Sequence, residues 1–539
     1  MKKYITILLG AYCIIQVSSS CNKSFLNETL YSSYSPENLT DSLGFDAAVV
    51  GLTNQLATFY NKSDAQGWPS VWQSGTDIAF VPPTQKQGIE VPYYDYTQLI
   101  STDGAASFTW TWAYQLINNA NNIITTIENP KININMTQAS KNSVDGEARF
   151  FRAYAYNILA TLFGKVPVIT QPLTAPKTDF VRASLDTVNA LIVADLTYAA
   201  TNLPTIDNVK SNAKGKLYGR ANQAMAQQLL AEVYLRIGKP DLAEAQCNAI
   251  INSGKFHLVT SRYGVKASSP GDPFSDMFVY GNQRYGQGNT EAIWVLELEN
   301  TSTVVGGYAN APQQRRNWGA AYYQISNMVI CDSLGGRGIG RLRLTDWVVY
   351  GLYEANDMRN SNYNLRRKFY YNTPGASNFG QQVPYSGADT IFRTAPHTTK
   401  WYQFDPNDVF GFAMVKDFIL MRLGETYLLL AEAQFKQGKL PEAAASLNVI
   451  RARANATPVT AAQVTLDYIL DERVRELLAE ENRRMTLMRT GTLVNRTLKY
   501  NTQTINPVIG ISAKNLLLPI PQSERDLNKD AVLEQNPGY

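Results

Sequence analysis

Phe45, Val49, Leu52, Leu56 and Phe59 are separated by alternating steps of four and three, which places them on one face of a helix. The same spacing returns in Trp112, Leu116, Ala120, Ile123 and Ile127, and again from about Ser143 to Phe163, where Gly164-Lys165-Val166-Pro167 stops it. Two further helices are predicted from about Ser184 to Leu203 and from Gly219 to Ile237. The pattern breaks twice. Residues 67–109 carry loop chemistry, with Trp68, Pro69, Trp72, Pro82, Pro83, Tyr93, Tyr94 and Tyr96, and read as a long insertion between helices, the kind of segment that is usually functional or disordered. Residues 256–416 are rich in Gly, Asn, Tyr and Pro with little periodicity, and are predicted to form an irregular lobe. One short strand, Glu291 to Glu297, and one short helix, Trp347 to Tyr353, are expected inside it.

Ala231-Glu232, Leu235, Gly238-Lys239 and Ala243 recur as Ala431-Glu432, Phe435, Gly438-Lys439 and Ala443. Each copy reads as a helix, a glycine turn and a second helix, with alanine where the two must touch, the logic of a tetratricopeptide repeat. Weaker pairs around Ala120 and Ala153 extend the pattern. The predicted fold is therefore mostly α, a tetratricopeptide-like helical-repeat scaffold of about four helix pairs with a large irregular, loop-rich lobe. The expected divisions are a helical region over 43–255 containing the insertion 67–109, then a region over 256–539 containing the lobe 256–416 and a helical repeat over 417–495.

The chain opens with Lys2 and Lys3, an apolar stretch from Tyr4 to Val17, then Ser18, Ser19, Ser20 and Cys21, the order of a secretory signal over residues 1–20. The apolar run falls short of the roughly 18 residues that span a bilayer core. It resembles a bacterial lipoprotein signal, which implies that Cys21 is lipidated and that residues 21–42 form the anchor and leash. Each buried acyl methylene contributes about 0.8 kcal/mol, so several chains on one cysteine hold a protein on a membrane.

Charged residues make up 17% of the chain, mixed in sign to a net +4, so no basic tract marks a nucleic-acid partner. Beyond Cys13 and Cys21 only Cys247 and Cys331 remain, enough for one disulfide but no framework. Two histidines, His257 and His397, are too few for a multi-histidine metal site, and no cofactor is called for. Asp405, Asn407 and Asp408 read as a turn around Pro406 rather than a calcium loop. The 31 tyrosines and 8 tryptophans, many outside the helical repeats, point instead to a ligand binder.

Arg422, Glu425, Tyr427, Leu428, Ala431 and Glu432 open a helix, Asn448, Arg451 and Arg453 close its partner, and Glu472, Arg473, Glu476, Leu477, Glu480, Arg483 and Arg489 follow. The chain continues to Leu518-Pro519-Ile520-Pro521, Glu524 and Gln535-Asn536-Pro537-Gly538-Tyr539. Earlier come Gly146 to Phe150 with Arg152-Ala153-Tyr154, then Gly164, Pro167, Asp195-Leu196, Leu203-Pro204 and Gly219-Arg220-Ala221. This set resembles the SusD/RagB family of Bacteroidota outer-membrane lipoproteins over nearly the whole mature chain. Glu481 stands where that family often has Gly, and Thr486 where it often has Asp. The resemblance implies a surface glycan-binding subunit, not an enzyme, that pairs with a SusC-like TonB-dependent transporter. It implies a place on the outer membrane facing the exterior, with the lipid as the sole membrane contact. The alternating Glu and Arg residues from Glu472 to Arg489 are read as a structural ion-pair network.

Sugar rings offer apolar C–H faces beside hydroxyls, so a binder needs flat aromatic platforms flanked by carboxylate, amide or guanidinium groups. The first inserted loop supplies Trp68, Trp72, Asp77, Tyr94 and Tyr96 as candidates, and the lobe supplies Tyr285, Arg316, Asn317, Trp318, Tyr322 and Tyr323. Trp318 leads because its neighbours Arg316, Asn317 and Gly319 are polar or small, which argues for exposure. Trp110, Trp112, Trp294 and Trp347 are assigned to the core. A lipid-anchored helical-repeat protein that binds peptides or another protein is the alternative, and a glycoside hydrolase ranks last because no motif nominates a carboxylate pair.

Overall fold

The computed structural model describes residues 39–62, 65–85, 88–299, 312–385, 390–412 and 414–539. The signal, Cys13, Cys21 and most of the leash lie outside them. Eight helices build the scaffold: α1 (Ser42–Tyr60), α2 (Gly104–Ile127), α3 (Gln138–Phe163), α4 (Leu185–Asn202), α5 (Gln223–Arg236), α6 (Pro240–Asn252), α7 (Leu423–Lys436) and α8 (Leu440–Arg453). Each packs on the next, α1 on α2 through α7 on α8, whatever length of chain intervenes. The result is four helix pairs, with 61–103 looping out of the first and 253–422 inserted between the third and fourth.

The predicted repeat is visible in its backbone. Gly238 and Gly438 adopt φ of +73° and +75°, the left-handed conformation that ends α5 and α7. Lys239 N donates to Tyr234 O at 2.8 Å, and Lys439 N to Gln434 O at 2.9 Å, so both turns close alike. Ala231, Ala243, Ala431 and Ala443 are fully buried at the two crossings. Helix starts differ from the expected ones in both directions. Thr137 caps α3 by accepting from Ser140 N, six residues before the expected Ser143, where a polar first turn hid the start, and Asn222 caps α5 by accepting from Met225 N, three residues after the expected Gly219.

The predicted strand is present as β1 (Ala292–Leu296), paired antiparallel with β2 (Phe418–Arg422). This pair joins the start of the lobe to the start of α7. Trp347–Gly351 forms one wide helical turn, shorter than expected, with Trp347 stacked on Tyr500 at 3.9 Å. Trp110, Trp112 and Trp294 are buried as assigned. Cys247 and Cys331 are both free thiols, so the available disulfide is not made.

Helices α9 (Leu466–Leu477), α10 (Arg483–Arg489) and α11 (Leu493–Tyr500) hold the acid-base cluster. Glu476 accepts from Arg359 at 2.9 Å, Arg422 at 2.5 Å and Arg453, all buried. Glu472 receives Arg359 at 2.8 Å, Arg451 at 2.7 Å and Arg475 at 2.9 Å. Burial alone would raise Glu472, but Arg359, Arg475 and Arg451 overcome it and hold the carboxyl at about 2. The cluster is an ionic core tying α9 to β2, α8 and the lobe. Thr486 Oγ1 donates to Glu481 at 3.0 Å, and Glu481 accepts from Arg473 at 2.6 Å. The two positions expected to depart from the resembled pattern therefore touch.

Candidate ligand-binding site

The lobe reaches the helical scaffold through a five-residue helix, Gln314–Trp318, which lies against the turn Trp68–Ser70 of the first inserted loop. Just after it, residues 317–319 run beside 338–342, with Gly340 N donating to Gly319 O and Leu342 N to Asn317 O, both at 2.8 Å. This approach requires glycine. A Cβ on Gly338 would sit 2.2 Å from Gly319 O, and one on Gly319 would meet Arg315 O at 2.8 Å. The pairing brings Arg337 beside Arg316 and sets both under a small aromatic shelf.

Phe410 and Phe412 are 64% and 58% exposed, unusual for phenylalanine. The Arg337 guanidinium lies 5.8 Å from the Tyr323 ring centre, 5.9 Å from Phe410 and 5.5 Å from Phe412, and Arg316 lies 4.6 Å from Phe412. Each contact is a cation–π attraction worth about 0.5–1 kcal/mol where water is present. Arg337 Nη1 also donates to Phe410 O at 2.5 Å, which fixes the loop. Burial, with Arg337 and Arg341 nearby, brings Arg316 down to about 10, still a cation at neutral pH. Asn317 beneath is fully buried, and its amide oxygen and nitrogen have no hydrogen-bond partner. The shelf thus combines apolar ring faces with fixed donors.

Of the sequence candidates, Arg316, Asn317, Trp318, Tyr322 and Tyr323 gather here, and of these Arg316 and Tyr323 reach the shelf. Trp318 is 2% exposed, against the expectation drawn from its polar neighbours. A tryptophan carries about 150–250 Å² of surface, so burying it at about 25 cal/mol/Å² favours the interior by roughly 4–6 kcal/mol, far more than flanking polar residues oppose. Tyr322 is likewise buried, its hydroxyl donating to Gly336 O at 2.9 Å. Trp68 and Trp72 pack with Phe59 in the core, where Trp68 Nε1 donates to Phe59 O. Asp77 is a buried counterion for Arg483 at 2.6 Å and Arg496 at 2.7 Å, which outweigh burial and lower its pKa. Tyr96 donates to Gly75 O and accepts from Arg484. These four are structural and cannot present a face to a ligand from outside. Tyr94 lines a separate shallow groove with Val91, Asp95, Gln98 and Ile509. Tyr285 belongs to another cluster, with Tyr218 and Phe256.

Arg337, Phe410 and Phe412 were not singled out from the sequence. Val409-Phe410-Gly411-Phe412 runs on into Met414 and Val415, so it reads as a buried apolar stretch. The glycine between two phenylalanines, just after the Asp405–Asp408 turn, was the available signal. Asn407 N donates to Asp405 Oδ1 at 2.8 Å, as that turn reading expects. Among the described residues no three His, Cys, Asp or Glu side chains gather as a metal site, and no helix is long and apolar enough to cross a membrane.

The sequence model of the SusD family matches residues 290–539, and a second, described as starch-binding associating with outer membrane, matches residues 26–235. The chain belongs to the SusD/RagB family. It is 25% identical to SusD-like protein P25 of Formosa agariphila, across 96% of this chain and 97% of that one. It is 33% identical to the starch-binding protein SusD of Bacteroides thetaiotaomicron over 123 residues, 23% of this chain and 22% of that protein. Its fold matches surface glycan-binding protein A from Bacteroides thetaiotaomicron in complex with laminarihexaose, with a TM-score of 0.70 at 20% identity, covering 92% and 100% of the two chains. The description of the second model makes this a family of binding proteins that associate with the outer membrane.

Proposed function

We propose that this SusD/RagB protein captures an oligosaccharide on the shelf of Tyr323, Arg337, Phe410 and Phe412 and passes it to a SusC-like TonB-dependent transporter. It does so from the outer face of the outer membrane, anchored by lipid on Cys21. The observation that carries this reading is the pair of exposed phenylalanine rings beside a guanidinium. The relatives that bind starch and laminarihexaose support the class of ligand. A sugar ring stacked on each phenylalanine removes about 100 Å² of apolar surface, roughly 2.5 kcal/mol before ordering costs. Two such platforms with a few hydrogen bonds give roughly millimolar to micromolar affinity, weak enough to release the cargo. The peptide-binding alternative draws less support, since few large apolar residues on the helix pairs are exposed, among them Leu43, Val50 and Leu242.

The test is calorimetry of the full mature chain against laminarin- and starch-derived oligosaccharides. At least one binds the parent, and Phe410→Ala weakens it about tenfold, ~1.4 kcal/mol. Equal affinity in parent and variant removes the shelf from the reading.

A further inference from the structure

The guanidiniums around the shelf are not all met by carboxylates. Arg315, Arg316, Arg337 and Arg341 converge there, close enough to act on one another. Glu90 meets Arg341 at 3.5 Å, and Asp408 and Asp405 lie beside Arg315. Arg316 and Arg337 are left without an ion pair among the described residues. Arg316 Nη1 donates to Gln313 Oε1 at 2.9 Å, while Arg337 donates from Nε to the Tyr323 hydroxyl at 3.4 Å and from Nη1 to Phe410 O. Arg337 Nη2 donates to no group among those residues, and the side chain is only half-buried, so it can be reached from outside.

The ionic core makes the contrast. Arg359, Arg422, Arg451 and Arg453 are buried much as Arg316 is, and each meets Glu472 or Glu476. Around Arg316 the groups that join burial in lowering its pKa are Arg337, Arg341 and Arg315, all of its own sign, with the Tyr323 phenol opposing them. The aromatic faces do not replace a counterion, because each contributes about 0.5–1 kcal/mol through its ring quadrupole and carries no net charge. A carboxylate or sulfate meets the planar fork of donors with opposite charge, where a sugar hydroxyl brings only a dipole. Arg337 lies 5.9 Å from the Phe410 ring centre and 5.5 Å from that of Phe412, so it adjoins both platforms.

We infer that the shelf selects oligosaccharides that carry an anionic group, a uronate carboxylate or a sulfate ester, received by Arg337 with Arg316 adding to the positive field behind it. Charge selection goes beyond the capture of an oligosaccharide and rests on the shelf being the capture surface.

The experiment is calorimetry of the full mature chain with laminarihexaose and maltohexaose, each in three forms: neutral, oxidised at C6 to uronates, and sulfated at O6. At least one acidic form binds at least about tenfold tighter than its neutral parent, ~1.4 kcal/mol. A gain with uronate alone or sulfate alone supports the inference and names the anion. The advantage shrinks between about 0.01 M and 1 M salt, as the Debye length falls from ~30 Å to ~3 Å. Arg337→Gln brings acidic and neutral forms to parity, whereas Arg337→Lys keeps part of the preference. A merely structural role for Arg337 would weaken both forms alike and leave their ratio unchanged. Equal affinity of acidic and neutral forms in the parent overturns the inference, as does a parent-like ratio in Arg337→Gln. The parent series needs no variant, so the test survives a failure of Arg337→Gln to fold. Equal affinities that Phe410→Ala weakens together count against charge selection alone, while affinities that Phe410→Ala leaves untouched remove the shelf itself.

Discussion

Replacing Glu472 with Gln tests the ionic core that holds the lobe to the scaffold. In the folded protein Arg359, Arg475 and Arg451 hold this carboxyl at about 2, against an ordinary 4.5. The difference of about 2.5 units, at 1.36 kcal/mol each, corresponds to roughly 3 kcal/mol of stability. Because the folded pKa is depressed, that contribution is fully present above the ordinary carboxylate range and is lost as pH falls through about 2. Removing one partner of a buried pair costs about 3–5 kcal/mol, since Arg359, Arg451 and Arg475 are left with less charge to meet. The assay is urea unfolding of parent and Glu472→Gln at a series of pH values from neutral downward. The expected gap is about 3–5 kcal/mol at pH 7, shrinking towards acid pH. A folded variant within about 0.5 kcal/mol of the parent at pH 7, the range of ordinary surface substitutions, refutes the reasoning, as does a gap that ignores pH.

Trp318→Ala empties a buried site and is expected to cost about 3–5 kcal/mol of stability, measured by denaturant midpoint at unchanged slope. Gly338→Ala drives a Cβ towards Gly319 O at 2.2 Å and displaces Arg337, so oligosaccharide affinity falls while far-ultraviolet circular dichroism stays the same. Gly51→Ala, with open space around it and no left-handed backbone to strain, is the contrasting control for added bulk. Cys21→Ser moves the protein from the membrane fraction to the soluble fraction on ultracentrifugation.

The scaffold was legible because helix pairs write themselves in periodicity. Ala231 and Ala431 at the crossings, with Gly238 and Gly438 at the turns, need those residue types for local reasons, so the sequence carries them openly. The ion-pair core was legible for a similar reason, since Glu472 and Glu476 share one face of α9. Where the aromatics point was not legible. Trp318 and Trp72 lie in loop-like sequence yet end in the interior, while Phe410 and Phe412 lie in an apolar run yet end outside. Their fates depend on contacts hundreds of residues apart, such as Trp68–Ser70 against Gln314–Trp318, which no local pattern encodes. Arg337 escaped notice because its role depends on two glycines, Gly319 and Gly338, that let one backbone segment lie on another.

The most direct test of the central claim is a crystal structure of the full mature chain with the tightest-binding oligosaccharide of the calorimetric panel. The account expects sugar rings in van der Waals contact with Phe410 and Phe412 and a hydroxyl within hydrogen-bond reach of Arg337. An oligosaccharide seated on another face, with those two rings still in solvent, contradicts it.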